Sequence, residues 1–182
     1  MEKIKDRLFL LEKVPKNSII AELGVFNGNY SRKILEICKP KELHLIDTWE
    51  GETNSFVDDF DCYGGEVINI KDLFSEYVKL SRKYKDDGRV YIHRGNDLDI
   101  LDEFSDRYFD MIYIDTSHEY KQTIKELNAC KKVIKPNGYI MGHDYSKEYG
   151  VIKAVEEFCK NNGYGIEFLT EDSPASFGIR RL

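Results

Sequence analysis

The fold of this chain is decided by the stretch from Ile19 to Ser31, IIAELGVFNGNYS. It begins as a short apolar run, continues into a loop with glycines at positions 24 and 28, and leads directly into a helical pattern. Glycine lets a backbone come close to a ligand, and the start of a helix presents N–H groups that the helix does not use. The stretch predicts a strand, a tight turn and a helix that form a cradle of nucleotide size, with Glu22 at the strand end. Taken alone, it is equally compatible with an ordinary strand-to-helix turn.

The spacing of the two glycines narrows the kind of ligand. The pattern is G-x-x-x-G, whereas dinucleotide-binding folds carry G-x-G-x-x-G, and no Gly-Lys-Ser/Thr follows as it would in a P-loop. The missing third glycine disfavours a nicotinamide-dependent oxidoreductase. The loop therefore predicts a site for a nucleoside rather than for a chain of phosphates.

Composition limits the class of protein. A chain of 182 residues predicts one domain spanning residues 1–182, and a net charge of −6 argues against general binding of nucleic acid. No apolar run reaches the roughly 20 residues of a membrane span, and the start of the chain lacks the apolar segment of a signal peptide. We therefore expect a cytoplasmic protein whose partner is a small molecule. The four cysteines are scattered and predict free thiols: Cys38, Cys62, Cys130 and Cys159.

Apolar strands alternate with helical patterns along the chain, which is typical of βαβ units in a parallel sheet. The N-terminal segment 1–15 predicts a helix over residues 2–13, ended by Pro15. A polar, acidic stretch over 48–65 is long for a connection and predicts a substrate loop or lid. The remaining pattern predicts helices over 29–38, 66–84, 119–134 and 150–162, a turn over 135–138, and strands over 18–23, 43–46, 89–93, 109–114, 139–142, 164–169 and 175–180, the last two as an antiparallel hairpin.

Four carboxylates stand at the ends of predicted strands. They are Glu22, Asp47, Asp115 and Asp144. In an open parallel sheet, ligands bind in the crevice beyond the carboxyl ends of the strands, so we expect these four acids to converge on one cleft. Each one alone is also compatible with the N-cap of a following helix. Asp47 follows Gly24 by the spacing at which a carboxylate accepts hydrogen bonds from both ribose hydroxyls.

Two histidines accompany the later acids. If the strands that end at Asp115 and Asp144 are neighbours, their carboxylates suit Mg²⁺ or Mn²⁺. His118 lies three residues past Asp115 and is a candidate general base, with a surface histidine as the alternative. His143 is a candidate metal ligand, a support for one, or a buried strand-end residue. The other two histidines, His44 and His93, fall inside strand patterns and predict packing roles.

The ordered set of motifs resembles class I S-adenosylmethionine-dependent methyltransferases over roughly residues 18–180. More narrowly, IDTSHEY at 114–120 and GHDY at 142–145 resemble a branch with small-molecule and sugar O-methyltransferases and proteins labelled cephalosporin hydroxylase-like. The wider family motifs are AELGVFNG at 21–28, LHLIDTW at 43–49, FDMIYID at 109–115 and VIKPNGYI at 133–140.

The resemblance implies a Rossmann-like, doubly wound α/β fold with a seven-stranded, mostly parallel sheet whose last strand is antiparallel. It implies that S-adenosylmethionine lies against the glycine loop and the strand ends, with Asp115 as a catalytic residue that also contacts the cofactor. The implied cofactor contacts are Glu22, Gly24, Phe26 and Gly28 at the methionine end, Asp47 at the ribose, Thr48 and Trp49 near the adenosine, and Gly95, Asn96 and Asp97 near the adenine.

Related metal-dependent enzymes of this branch hold Mg²⁺ with acids after two neighbouring strands and use a histidine as base. By resemblance these positions are Asp115, Asp144 and His118. The chain departs from that pattern because His143 precedes Asp144 where two adjacent acids are often found, which leaves a metal-free reaction open.

We therefore expect an O-methyltransferase acting on a hydroxyl of a small molecule or sugar. The second hypothesis is a protein that binds S-adenosylmethionine without transferase activity, or an assembly or regulatory subunit with the same fold, since a fold does not establish a function. In the acidic loop, Trp49, Phe56 and Tyr63 are candidates for packing on a substrate ring, with a core-covering Trp49 as the alternative. A homodimer through the N-terminal helix or an edge strand is compatible with the sequence.

Overall fold

The computed structural model describes residues 1–50 and 73–182, which form an eight-stranded sheet with helices on both faces. The strand order across the sheet is β1-β7-β8-β6-β5-β2-β3-β4. The strands are β1 (Glu2–Ile4), β2 (Ile19–Leu23), β3 (Glu42–Asp47), β4 (Val90–Arg94), β5 (Phe109–Ile114), β6 (Ile134–Gly142), β7 (Tyr164–Thr170) and β8 (Phe177–Arg181). The helices are α1 (Arg7–Leu11), α2 (Asn29–Cys38), α3 (Leu73–Lys83), α4 (Asp97–Asp102), α5 (Tyr120–Val133) and α6 (Val151–Asn162).

The sheet confirms the Rossmann-like α/β fold. Every strand pair is parallel except those of β8, which runs antiparallel to both β6 and β7. The antiparallel hairpin of β7 and β8 follows α6, whose C-cap is Gly163 in the left-handed region at φ 68°, as predicted. The chain passes from β2 outward to β3 and β4, and then returns to place β5 on the other side of β2. This reversal of direction opens a crevice at the carboxyl ends of β2 and β5.

The N-terminal prediction was wrong in two respects. Residues 2–4 are not helical but form β1, which pairs in parallel with β7 and raises the strand count from seven to eight. The helix starts only at Arg7, because the Asp6 side chain accepts hydrogen bonds from the N–H groups of Leu8 and Phe9 and so caps it. Ile4 is buried, which gives this edge strand an apolar anchor.

The predicted turn over 135–138 is part of a strand. β6 runs without a break from Ile134 to Gly142, but its pairing with β5 jumps from Phe109–Ile134 to Met111–Tyr139. The extra residues therefore form a bulge rather than a turn between elements.

The central strands are buried on both faces, because side chains alternate along a strand and each face carries its own cluster. Ala21, Leu23 and Ile112 pack toward α5 and α6 in one cluster, whereas Ile20 and Met111 pack toward α1 and α2 in the other. Three cysteines lie in these cores as free thiols, as predicted: Cys38, Cys130 and Cys159. Across the part of the chain that the structure describes, no helix is both long and apolar enough to cross a membrane.

Candidate active site

The glycine loop is pressed directly against the loop that follows β5. Gly24 has φ 81°, and a Cβ added to it would lie 2.0 Å from the carbonyl oxygen of Asp115. The two loops are joined because the Asp115 N–H donates to the Leu23 carbonyl at 2.8 Å. Gly28 also has a positive φ, of 74°, at the N-cap of α2. Both glycines therefore meet a backbone requirement that a side chain would oppose.

A cavity of about 590 Å³ opens at the carboxyl ends of the parallel strands. This volume lies within the roughly 300–1,000 Å³ typical of small-molecule sites. The structure brings most of the predicted cofactor residues to its wall, namely Gly24, Phe26, Asp47, Thr48, Gly95, Asn96, Asp97 and Asp115.

A smaller cavity of about 180 Å³ shares Gly24, Phe26 and Asp115 with the first and adds Glu22 and His118. Glu22 is only 1% exposed and accepts a hydrogen bond from the Ser31 hydroxyl at 2.5 Å. Burial raises the pKa of Glu22 to about 8, against the opposing effect of the Ser31 hydrogen bond. A cation bound in this cavity would therefore favour the ionised form of Glu22.

Asp47 fixes the glycine loop as well as lining the cavity. One of its oxygens accepts hydrogen bonds from the N–H groups of Val25 and Phe26 at 2.8 and 2.9 Å, and the other accepts from the Trp49 N–H at 2.7 Å. The carboxylate therefore holds two loops together at the place where the ribose was predicted to bind.

Trp49 is placed differently from the prediction. Its indole is only 2% exposed, donates from Nε1 to the Phe26 carbonyl at 2.8 Å, and packs 5.3 Å from the ring of Tyr77. It therefore covers the core, as the alternative held, and its side chain lines neither of the two cavities. The companion residues Phe56 and Tyr63, and the 48–65 loop beyond Glu50, lie outside the described residues.

Asp115, His118 and Asp144 form a compact group beside the smaller cavity. One ligand atom from each lies within 4.8 Å of the others, and His118 Nε2 is 3.0 Å from Asp144 Oδ2. His118 and Asp144 both have positive φ values, 58° and 54°, which non-glycine residues rarely adopt. The backbone thus holds both side chains in place at some conformational cost.

The electrostatics of this group follow from the contact between His118 and Asp144. Burial alone would lower the pKa of His118 and raise that of Asp144. Their hydrogen bond and opposite charges outweigh burial, so the net pKa of His118 is raised and that of Asp144 is lowered. Burial also raises the pKa of Asp115, although the nearby His143 and His118 oppose that shift.

The assignment of His143 as a metal ligand stays a prediction. Its Nδ1 is 2.9 Å from the Ser176 hydroxyl, near the start of β8, and it is not part of the three-residue group. The His143 imidazole is nevertheless near enough to oppose the rise in the pKa of Asp115 and to contribute to the lowered pKa of Asp144. The predicted base, His118, occupies the third position instead. His44 and His93 pack together as predicted, with His44 Nδ1 3.0 Å from His93 Nε2.

Two functional features were missed. Arg7 reaches the cleft from the N-terminal segment, where its Nη1 lies 3.9 Å from Asp115 Oδ2 and its guanidinium stacks over Tyr30. Glu126 on α5 is fully buried and lines the larger cavity. Arg7 carries no signal in the sequence, whereas Glu126 does, because it interrupts a buried helical stripe that includes Thr123 and Cys130.

Comparison with known proteins identifies the family. Residues 21–145 match the family model of a methyltransferase domain. The chain belongs to this methyltransferase family. The matched segment includes the glycine loop, the residues around both cavities and the acidic group. A search of curated proteins gives no significant match.

Solved structures share the fold at low sequence identity. The precorrin 8W decarboxylase from Methanobacterium thermoautotrophicum is 12% identical with a TM-score of 0.63, and the match covers 97% of this chain and 88% of that one. The M1A22 tRNA methyltransferase TrmK from B. subtilis is 11% identical with a TM-score of 0.65, covering 98% and 67%. The trans-methyltransferase CalH in complex with SAH is 10% identical with a TM-score of 0.63, covering 97% and 55%. These likenesses concern the fold alone, which is that of class I S-adenosylmethionine-dependent methyltransferases.

Proposed function

We propose that the protein transfers a methyl group from S-adenosylmethionine to a hydroxyl of a small molecule or sugar, with His118 as general base. The observation that carries this proposal is the 3.0 Å contact between His118 Nε2 and Asp144 Oδ2, because His118 lines the smaller cavity together with Glu22. S-adenosylmethionine supplies the methyl group on a sulfonium. The base and the predicted methionine end of the cofactor therefore share one small space.

His118, Asp144 and Glu22 have different roles in this reaction. Asp144 accepts the Nε2–H of His118, which leaves Nδ1 as the acceptor for the proton of the substrate hydroxyl. A carboxylate that orients the imidazole also stabilises the imidazolium that forms. Glu22 faces the predicted position of the methionine ammonium. Holding the hydroxyl and the sulfonium in line accounts for a large part of such a rate enhancement.

A small-molecule substrate agrees with the surroundings of His118. Tyr149 is 45% exposed and its ring lies 5.4 Å from the His118 imidazole, so an aromatic surface borders the base. The net charge of −6 gives no electrostatic attraction for nucleic acid. The side chains therefore favour a compact, ring-bearing alcohol.

The same group fits a divalent cation. Two carboxylates and one imidazole offer ligand atoms within 4.8 Å of one another, and this donor set suits Mg²⁺ or Mn²⁺. Asp115 and Asp144 would hold the ion, with His118 beside it. A bound ion of this kind lowers the pKa of a hydroxyl that coordinates it. Metal assistance is thus a separable part of the proposal.

The test is release of S-adenosylhomocysteine with a panel of sugars and catechols, using the wild type and His118→Asn. We expect turnover by the wild type and a decrease of about 10²–10⁴-fold in the variant, with cofactor affinity retained. Binding of cofactor without turnover on any acceptor favours the alternative of a binding or regulatory protein. No binding of S-adenosylhomocysteine contradicts the cofactor assignment itself.

A chelator separates the role of the metal. We expect EDTA to reduce turnover of the wild type and added Mg²⁺ or Mn²⁺ to restore it. An Asp115→Asn variant should lose this response together with its activity. Turnover that is equal with and without EDTA, after dialysis against the chelator, shows that the reaction does not need the ion.

A further inference from the structure

A buried pair of carboxyl groups lies at the wall of the larger cavity, away from the acidic group at His118. Glu126 on α5 has no exposed surface, and Asp97, the first residue of α4, is 9% exposed. The side-chain amide of Gln122 joins them, because its Nε2 lies 2.9 Å from Glu126 Oε1 and 3.4 Å from Asp97 Oδ1. Two acids that share one donor in a buried place are close enough to influence each other's ionisation.

The hydrogen bonds show where the proton lies. Glu126 Oε1 accepts from both Thr116 Oγ1, at 2.7 Å, and Gln122, whereas Glu126 Oε2 is buried and has no donor to accept from within residues 1–50 and 73–182. Burying an ionised carboxylate oxygen without a hydrogen-bond donor costs free energy, whereas a protonated oxygen at the same position can donate a hydrogen bond. Asp97 is the acceptor for it, since its side chain contacts that of Glu126 and already accepts from the Leu98 N–H at 2.9 Å.

The surrounding charges agree with this assignment. Burial first, and then the neighbouring Asp97, raise the pKa of Glu126 to about 8. The other titratable group that interacts with Glu126 is the Cys130 thiol on the same helix, whose pKa is raised well above its usual value by burial. Glu126 therefore keeps its proton near pH 7.

We propose that Glu126 is a positioning residue for the adenine end of the cofactor: its O–H holds the Asp97 carboxylate so that it accepts from the exocyclic amino group of adenine. Hypoxanthine, which carries an oxygen at that place, is then disfavoured. This inference rests on the binding of S-adenosylmethionine in the proposed function, but not on the methylation of a hydroxyl. Thr116, the residue that follows Asp115, donates a hydrogen bond to Glu126 and so links the predicted adenine site to Asp115.

The first experiment uses Glu126→Gln, which mimics the protonated acid, because an amide presents an oxygen and an N–H donor in the same places. Calorimetric titration with S-adenosylhomocysteine is carried out from pH 6.5 to 9.5 on the wild type, on this variant, and on Glu103→Gln as an exposed control. We expect the wild type to lose affinity above pH 8, by about 10-fold, relative to Glu126→Gln. Glu22 titrates in the same range but is present in all three proteins, so the ratio of affinities isolates Glu126. A ratio that does not change with pH overturns the inference.

The second experiment compares S-adenosylhomocysteine with S-inosylhomocysteine at pH 7. We expect the inosyl compound to bind the wild type about 10-fold more weakly or worse, since the Asp97 acceptor loses its donor. Asp97→Asn should reduce this discrimination to a few-fold at most. Equal binding of the two compounds by the wild type contradicts the inference but leaves the proposed function intact. Failure of both to bind contradicts the proposed function instead.

Discussion

The two walls of the crevice are held in place by different partners. On the side of β3 and β4, Asp47 and Asn96 accept their hydrogen bonds from backbone N–H groups, three for Asp47 and two for Asn96. On the side of β5 and β6, His118 and Asp144 hold each other, side chain to side chain. Backbone donors do not titrate, whereas a histidine and an acid do. We therefore expect the contact between His118 and Asp144 to change with pH, whereas the N–H donors that hold Asp47 and Asn96 do not.

Asp144→Asn tests the titrating wall and carries the largest expected effect. The change removes the charge that raises the pKa of His118 and allows the imidazole to turn or change tautomer. We expect kcat to fall by about 10²–10⁴-fold. Because a less basic His118 is neutral at lower pH, the acid limb of the pH–rate profile should move to lower pH. Binding of S-adenosylhomocysteine should change little.

Asp99→Asn serves as a control for Asp144→Asn, since Asp99 is an exposed acid on α4 that lines neither cavity. Its kcat and pH profile should match those of the wild type. A kcat for Asp144→Asn within about three-fold of the wild type, where losing a general base typically costs 10²-fold or more, shows that His118 does not depend on this acid.

Gly24→Ala tests the contact between the walls themselves. The added Cβ would lie 2.0 Å from the Asp115 carbonyl at a positive φ, so both a clash and backbone strain oppose it. We expect a loss of about 3 kcal/mol or more in the free energy of unfolding, measured by urea denaturation. Gly163→Ala is the matched control, because φ is 68° there but nothing lies within 4 Å of the added atom. It should cost only about 1–2 kcal/mol, and equal losses in the two variants would mean that the contact is not tight.

The wall fixed by the backbone is the one that the sequence predicts best. This wall is built from local strand-to-helix motifs, which contain Gly24, Asp47 and the segment Gly95–Asp97. In each motif a glycine or an acid follows an apolar run, so its position depends mainly on residues that are close in sequence. Their arrival in one cavity follows from the parallel sheet alone. Trp49 is the exception, because a large apolar side chain next to a site can face either the ligand or the core, and here it faces the core.

The other wall depends on contacts between distant segments, which spacing does not reveal. His143 and Asp144 are adjacent in sequence, but Asp144 has a positive φ of 54° and joins Asp115 and His118, whereas the His143 ring contacts Ser176. Arg7 reaches the site because residues 2–4 add a strand beside β7, a pairing for which three residues give no periodic signal.

Asp47→Asn tests the wall fixed by the backbone. An asparagine keeps one acceptor oxygen but places an NH₂ group against at least one of the N–H donors that Asp47 now accepts from. We expect the free energy of unfolding to fall by about 1–3 kcal/mol and S-adenosylhomocysteine to bind about 10-fold more weakly. Calorimetry at pH 6 and pH 8 should give the same ratio of wild-type to variant affinity, since the N–H donors that the substitution affects do not titrate. A ratio that depends on pH contradicts the distinction between the walls.

Glu22→Gln carries the smallest expected effect and concerns the residue at the base of the smaller cavity. The folded pKa of Glu22, about 8, lies above its ordinary value of 4.5, so the folded state favours the neutral acid. The wild type should therefore lose stability as the pH rises from about 4.5 to about 8, because the unfolded chain ionises first. The variant lacks this titration. Without cofactor, we expect the two proteins to be equally stable near pH 4.5 and the variant to be more stable at pH 8.5, by about 1–3 kcal/mol, in urea denaturation. S-adenosylhomocysteine should reverse the order at pH 8.5, since the ionised Glu22 faces the predicted ammonium of the ligand. A stability difference that is the same at both pH values means that Glu22 ionises normally in the fold.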